Sequence, residues 1–490
     1  MKKLLLIFIS LILIFTLSAS VSADIGTTTY YDPIVKVGLY YGSNAMPSAN
    51  LANEVGSGYL FGYFDSLRVF IQTGFTATEK ITIIKDKTMY VNKGTYYDAL
   101  PPSGSTKIGS HHIDPGYTYQ SFEESATAAS ELASQTGLSV FPAFISGSHK
   151  VRIGHYGTAD EANLAAAKLA IPGAASVGGS ATCYTVVSTQ DGRILYEFDC
   201  GSSGNLAITP AGAEKTETWF KGYRYYGSFE YKRISGNDIT VINVLPVTEY
   251  TKGVVPSEMG PNWHQEALKA QAVCASTYAL NNKNKHGSNG FDVCSTTDCQ
   301  AYRGRNTATA NSDAAVEGIR GIGLYYNNAL ISAVYHSSNG GSTESAKNVW
   351  FQDLPYLQAV PDNFEDLRIA NNGIWSFEYT SAQLTTMLKS KGHSIGNVAE
   401  AYVDEYTPAG NVYRVTFVDT AGKSLSFEKS AAKTILNSSS LKKYANSQRF
   451  TISCGVKFNV INLSSQMSAA DGFAIGMGGS ITRLSGKSDV

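Results

Sequence analysis

The sequence predicts a multidomain α+β protein, and three observations carry that expectation. At 490 residues the chain exceeds what one hydrophobic core usually serves, which points to roughly two to four domains. Its hydrophobic pattern changes period: alternating β-formers dominate up to about residue 108, and helical spacing joins them from Pro115 onward. Turn-rich clusters such as PPSGSTKIG at 101–109 fall between the periodic segments, where linkers belong. The expected divisions are a leader at 1–23, a β-rich region at 24–108, a βαββαβ module at 110–190 and a mixed α+β region at 205–490 with its core at 240–363.

The leader is read from three features in order. Met1-Lys2-Lys3 is basic, Leu4 to Leu17 carries no charge, and Val21-Ser22-Ala23 resembles a small-residue cleavage site. The apolar run is short for a membrane span, so a secretory signal is expected, with an uncleaved N-terminal anchor as the alternative. Either places the protein outside the cytoplasm, secreted or cell-wall associated. The balance of 39 basic against 40 acidic residues gives no electrostatic case for nucleic acid or anionic lipid. Thirty tyrosines suit sugar faces, though they suit strands and ordinary cores as well.

Within 24–108 the clearest strands are IVKVGLYYG and KITIIKDKTMYV. The next module reads as GYTY (strand), SFEESATAASELASQ (helix), LSVFPAFI and KVRIGHYG (hairpin), TADEANLAAAKLA (helix) and ATCYTVVST (strand). Thr158 or Asp160 can cap the second helix. This order describes a ferredoxin-like unit. The run VRIGHYGTADEANLAAAKL at 151–169 resembles the sporulation-related repeat (SPOR) domain. That resemblance implies binding to peptidoglycan glycan strands stripped of their stem peptides; a generic α+β spacer is the plainer alternative. A two-residue turn at Asp191-Gly192 places Cys183 opposite Cys200 across a hairpin, at a separation a disulfide can span.

The region 240–363 holds the chemistry. Its runs NVLPVTEYTKGVVPSEMG, EALKAQAV, TYAL, HGSNGFDVCSTTDCQAYRG, AVYHSSNGGSTESAKNVW and DLPYLQAVPD resemble the stage II sporulation protein D and amidase-enhancer family. The resemblance to sporulation protein D implies a lytic transglycosylase acting on glycan strands without stem peptides, with sporulation, at engulfment, as the expected setting. Amidase enhancers share the domain and are named for stimulating an N-acetylmuramoyl-L-alanine amidase.

Glu258, between two prolines in VVPSEMGPNW, is the expected catalytic residue. A glycosidic hydrolase needs a second carboxylate to activate water or attack the sugar. A lytic transglycosylase needs one carboxyl only, since the sugar's own C6 hydroxyl attacks, and the intramolecular attack avoids recruiting water. The stretch is expected to form a strand-to-helix neck, with Glu258 near the start of the following helix and buried beside Val254, Val255, Met259 or Trp263. A purely structural role complementing that helix dipole is the alternative, and Glu266 in the first turn has the same reading. For a hydrolase, Glu344 and Asp353 are the candidate second carboxylates.

Around Glu258 the substrate-binding candidates are Gln271, Gln300, Tyr302, Arg303, His336, Ser337 and Ser338. Gln271 either hydrogen-bonds Glu258 or substrate, or faces solvent. His336 follows an apolar strand and either orients Glu258, bonds a sugar or caps its loop. Cys274, among alanines, reads as a packed core residue. Ser276 stands where the family usually carries an arginine regarded as functional, which keeps the non-catalytic reading open.

Cys294 and Cys299, with Asp298 between them and His286 upstream, form the second constellation. Two thiolates at this spacing suit a zinc clip, and relatives bind zinc here through cysteines and histidines, usually with histidine where this chain has Asp298. The alternatives are a Cys294–Cys299 disulfide and two free thiols. Zinc, if bound, is expected to order the loop rather than do the chemistry. Near the end, Gly472-Phe-Ala-Ile-Gly476-Met-Gly-Gly479 only partly resembles the glycine-rich run with which family members close, and lacks its histidine. The expected function is thus glycan-strand cleavage, and the rival is a cell-wall protein that recruits or stimulates an amidase.

Overall fold

The computed structural model describes residues 31–212, 216–350, 352–365, 375–454, 458–462, 473–475 and 481–483. The leader at 1–23 and the glycines at 472, 476, 478 and 479 lie outside these residues. The chain is mixed α+β and divides into two compact units, up to Val334 and from Tyr335.

Two large sheets dominate the first unit. A seven-stranded sheet runs, edge to edge, Val293–Cys294, Ile34–Tyr40, Ile239–Pro246, Ser228–Arg233, Ala207–Pro210, Tyr59–Phe64 and Phe70–Thr76. A ten-stranded sheet runs Ala175–Gly178, His111–Asp114, Ser148–Tyr156, Val140–Ile145, Ile194–Asp199, Tyr184–Ser188, Lys80–Lys85, Ser48–Ala52, Thr218–Phe220 and Tyr223–Tyr225. One core is shared by both: Val37, Phe61, Ile83, Val186, Phe198, Phe229 and Val241 are fully buried within it. The strand Ile239–Pro246 is apolar at nearly every position because it is covered on both faces. Residues 34–85 contribute strands to both sheets, so this region has no core of its own.

The βαββαβ order is present over 111–178, with different end strands. Helices α1 (Phe122–Thr136) and α2 (Ala159–Leu169) are capped by the Ser121 and Thr158 hydroxyls, which accept from the Glu124 and Glu161 amides. The four strands are antiparallel neighbours in the order fourth, first, third, second. The first is His111–Asp114; in the expected GYTY segment Tyr119 makes only an isolated bridge to His149. The last is Ala175–Gly178, and the run after Cys183 forms a later strand of the same sheet. Pairing of Tyr184–Ser188 with Lys80–Lys85 joins this module to the N-terminal strands. Part of the expected 101–109 linker is itself a strand, Thr106–Ile108, in a small three-stranded sheet.

The expected Cys183–Cys200 disulfide does not form, and both cysteines are free. The hairpin closes from Ser188 to Arg193 around a four-residue loop, with Gly192 N–H donating to Ser188 O and Asp191 Oδ1 accepting from the Arg193 amide. This loop shifts the register by two residues, a bulge between Val186 and Val187 returns one of them, and Tyr184 pairs with Phe198. Asp199, not Cys200, therefore stands opposite Cys183. The Cys183 Sγ instead lies 3.2 Å from Glu197 Oε1, and desolvation followed by the charge of Glu197 pushes its thiol well up.

Asp86, beside this hairpin, is 7% exposed. Desolvation first and Glu197 second raise its carboxyl to about 7, against the hydrogen bond from the Ser180 amide to Oδ2. Its Oδ1 has no hydrogen-bond partner, and an unsolvated carboxyl costs less to bury neutral than charged. A carboxyl with a raised folded pKa binds more protons folded than unfolded, so it costs stability as pH rises from about 4 to about 7. Asp86→Asn removes that cost. Unfolding free energies from urea titration of the two proteins should agree near pH 4 and separate by about a few kcal/mol by pH 8, the variant being the more stable. Parallel profiles would mean that Asp86 is ionised in the fold.

The second unit holds a core of Tyr379, Leu384, Leu388, Val412, Val415, Phe417, Leu436 and Phe450. Around it lie the sheets Val398–Tyr406, Val412–Asp419, Ser424–Glu428 and Ser376–Tyr379, Phe458–Asn462, Phe450–Cys454, with the expected SAQLTTMLKSK helix at Ser381–Ser390. No helix among the described residues is long and apolar enough to cross a membrane.

Candidate active site and metal centre

Helix α3 (Val247–Glu258) leaves an interior strand of the seven-stranded sheet, Ile239–Pro246, directly at Pro246. The VVPSE stretch is its last turn, which corrects the expected neck: Pro256 lies inside the helix and Glu258 ends it. A proline here removes the amide that would donate to Lys252 O and stiffens the last turn. Met259 is extended and Gly260-Pro261 stop the helix. Glu258 is exposed rather than buried, and sits at the C-terminal end of one helix rather than the start of the next. A carboxylate is on the unfavourable side of the helix dipole there. The Ala301 N–H meets it, donating to Oε1 at 2.7 Å.

That amide is held in place from below. Gln300 and Tyr302, on either side of Ala301, are 1% and 3% exposed. Gln300 Oε1 accepts from the Tyr250 hydroxyl at 3.1 Å, and the Tyr302 hydroxyl donates to Asn243 Oδ1 at 2.7 Å. Their burial does not fit the expectation that they line a groove; they anchor the loop whose surface offers the Ala301 N–H and exposed Arg303. Gly253 in α3 makes the anchoring possible, because a Cβ there would lie 2.4 Å from the Tyr302 ring and 2.8 Å from Gly304 O. Sequence reasoning missed this glycine, although a glycine inside a helical run is itself a signal of close packing.

Helix α4 (Gln265–Asn281) packs on α3 through Ala272, Ala275 and Ala279, all fully buried. His264 Nδ1 accepts from the Glu266 amide at its start, and Glu266 pairs with Lys269, in keeping with a structural role for this acid. Gln271 is partly buried, and its Nε2 is enclosed without a hydrogen-bond partner. Cys274 is half-buried and desolvation pushes its thiol up, which does not make a nucleophile. Ser276 is buried and donates to Val273 O. Lys252, 3% exposed, bridges Glu249 and Glu317, tying α3 to α5 (Ala310–Glu317).

The second constellation converges. His286, Cys294, Asp298 and Cys299 each place a ligand atom within 4.8 Å of the others. His286 Nε2 lies 3.2 Å from Asp298 Oδ2 and 3.3 Å from Cys299 Sγ, and Asp298 Oδ2 lies 3.8 Å from Cys294 Sγ. Ligands bonded to one tetrahedral zinc stand roughly 3.2–3.8 Å apart, so the set fits that ion. Cys294 is the more acidic thiol, held down to about 4 by its hydrogen bond with Cys299 first and by Thr296 after, against desolvation. The cluster rests on a buried clamp that the sequence did not reveal. Asp292, 1% exposed, takes hydrogen bonds from Arg68 Nη2 at 2.8 Å, the Lys36 amide at 2.9 Å and the Asn284 amide at 3.0 Å.

His336, Ser337 and Ser338 are exposed and belong to the second unit. Just beyond them the Asn339 and Gly340 amides both donate to Glu365 Oε2 at 2.8 Å. Glu344 is committed to structure: it accepts from the Thr407 hydroxyl and from the Asn411, Asn348 and Ser345 nitrogens. That leaves it a poor second carboxylate for a hydrolase. Asp353 is exposed, 4.0 Å from Lys347.

Residues 235–326 match the SpoIID family model, described as stage II sporulation protein. This segment is similar to SpoIID domains. It contains α3, α4, α5, Glu258 and all four residues of the cysteine cluster, and ends before His336. A segment of this chain is 42% identical over 135 residues to the amidase enhancer of Bacillus subtilis, covering 28% of this chain and 17% of that protein. It is 34% identical over 131 residues to stage II sporulation protein D of the same organism, covering 24% and 38%. An uncharacterized protein of Brachyspira hyodysenteriae is 42% identical over 144 residues, covering 28% and 38%. The chain thus spans well under half the length of these relatives.

Proposed function

We propose that this protein is a lytic transglycosylase that cleaves peptidoglycan glycan strands lacking stem peptides, with Glu258 as the single acid and base. The observation that carries the reading is the exposed Glu258 carboxyl at a stiffened helix end, its rotation fixed by the Ala301 N–H. Protonated, it gives its proton to the glycosidic oxygen as the C1–O bond breaks. The C6 hydroxyl of the same sugar then bonds to C1, and its proton returns to Glu258, leaving a 1,6-anhydro end and a regenerated acid. The committed state of Glu344 favours this one-carboxyl route over hydrolysis. Incubation with denuded glycan strands should yield 1,6-anhydro ends; reducing ends without the anhydro bridge, or intact strands, would remove the reading.

The setting proposed is sporulation, outside the cytoplasm, which the SpoIID match and the basic-apolar leader pattern support. The ferredoxin-like strand order over 111–178 supports a SPOR-type glycan-binding module ahead of the SpoIID domain. We assign His286, Cys294, Asp298 and Cys299 as ligands of a structural zinc ion, which when bound supplies a cross-link beneath the loop that carries Ala301. The second reading, a non-catalytic protein that recruits or stimulates a cell-wall amidase, is favoured by the amidase-enhancer relative and by Ser276.

A further inference from the structure

Trp263 stands five residues after Glu258 and is 58% exposed. A large apolar side chain open to water next to a candidate active site needs a reason, since burying an indole is normally favourable. Its loop, Gly260 to His264, is not loose. The Trp263 N–H donates to Gly260 O at 3.0 Å. Asn311 Nδ2 donates to the carbonyls of both Pro261 and Trp263, at 3.0 and 3.1 Å, and the Thr309 hydroxyl adds a bond to Pro261 O. Asn311 is itself gripped by Gln265 Nε2 at 2.6 Å, and lies in the first turn of α5, which Thr309 and Ser312 close with a capping box. The indole edge rests against Gly260, where a Cβ would come within 2.4 Å of Nε1. An exposed ring on a rigid mount loses little entropy on binding.

We propose that Trp263 is a stacking platform for a pyranose ring of the glycan strand, forming a binding subsite beside Glu258. The rim around it suits a sugar better than a protein. Asn262 and His264 on either side are exposed and polar. His264 Nδ1 accepts from the Glu266 amide, so the neutral imidazole carries its proton on Nε2 as a donor. A protein hot spot is instead ringed by groups that exclude water. A pyranose offers an apolar C–H face to the indole and hydroxyls to the rim.

This inference rests on the glycan-strand reading, and binding separates the two. Calorimetric titration of the full chain with soluble denuded glycan strands should show affinity falling about tenfold in Trp263→Ala and by less than about threefold in Trp263→Phe, which keeps an aromatic face. Both variants should melt like the wild type. Equal affinity in Trp263→Ala overturns the subsite. So does a variant that binds glycan normally but loses stimulation of an amidase, which would assign the ring to a protein partner. Cleavage by the same preparations is scored separately: wild-type binding without cleavage retires the transglycosylase reading and leaves the Trp263 result standing.

Discussion

Glu258→Gln is expected to lower the release of 1,6-anhydro ends by roughly 10²–10⁴-fold while leaving glycan binding and thermal stability in place. Glutamine keeps the side-chain length and an oxygen that accepts from the Ala301 amide, so the loop contact survives. What it cannot do is give and retake a proton. Glu258 is exposed, and a surface substitution of this kind typically changes stability by no more than about 0.5 kcal/mol. The comparison is therefore between two folded proteins that differ in one proton. Unchanged release would transfer the chemistry elsewhere. A variant inactive on glycan yet still able to stimulate an amidase would show that the two readings describe separable properties of one surface.

Cys299→Ser has the second large expected effect. Metal analysis of the purified wild type should give about one zinc per chain, and the variant about none, because removing one thiolate from a four-ligand set sharply weakens binding. Chelation should lower the melting temperature of the wild type and leave that of the variant unmoved. Cleavage should fall in the variant as well, through the loop: Ala301, whose amide meets Glu258, is two residues from Cys299. The same preparation distinguishes the chemical alternatives. Wild-type protein without zinc and with two titratable thiols at Cys294 and Cys299 would exclude both a metal clip and a disulfide.

The site was legible in the sequence to the extent that chemistry is local. The spacing of Cys294, Asp298 and Cys299, with His286 upstream, named four residues that the fold does gather. Sequence alone misplaced Glu258 because prolines on both sides suggested an irregular neck, whereas tertiary packing of Val254 and Val255 carries the helix through Pro256. It misjudged Gln300 and Tyr302 because polarity was taken for exposure, although a buried hydroxyl is content with one partner such as Asn243. The Cys183 pairing failed on turn geometry, since one bulged residue moves a cysteine to the opposite face. The Arg68–Asp292 clamp, 224 residues apart in sequence, leaves no local signal at all.

Strand pairing, together with one short stretch of chain, connects the module at 111–178 with the helix that carries Glu258. Val140–Ile145 pairs with Ile194–Asp199, and Tyr184–Ser188 with Lys80–Lys85, which pairs in turn with Ser48–Ala52. Ile34–Tyr40, the strand before that last one, pairs with the strand from which α3 emerges. A binding module on a flexible tether samples many positions, and its reach is statistical. On the proposed reading the grip and the blade are parts of one caliper: a glycan strand held on that module would meet Glu258 at a fixed offset, and the fragments released should cluster around a set length rather than spread as random scission would leave them.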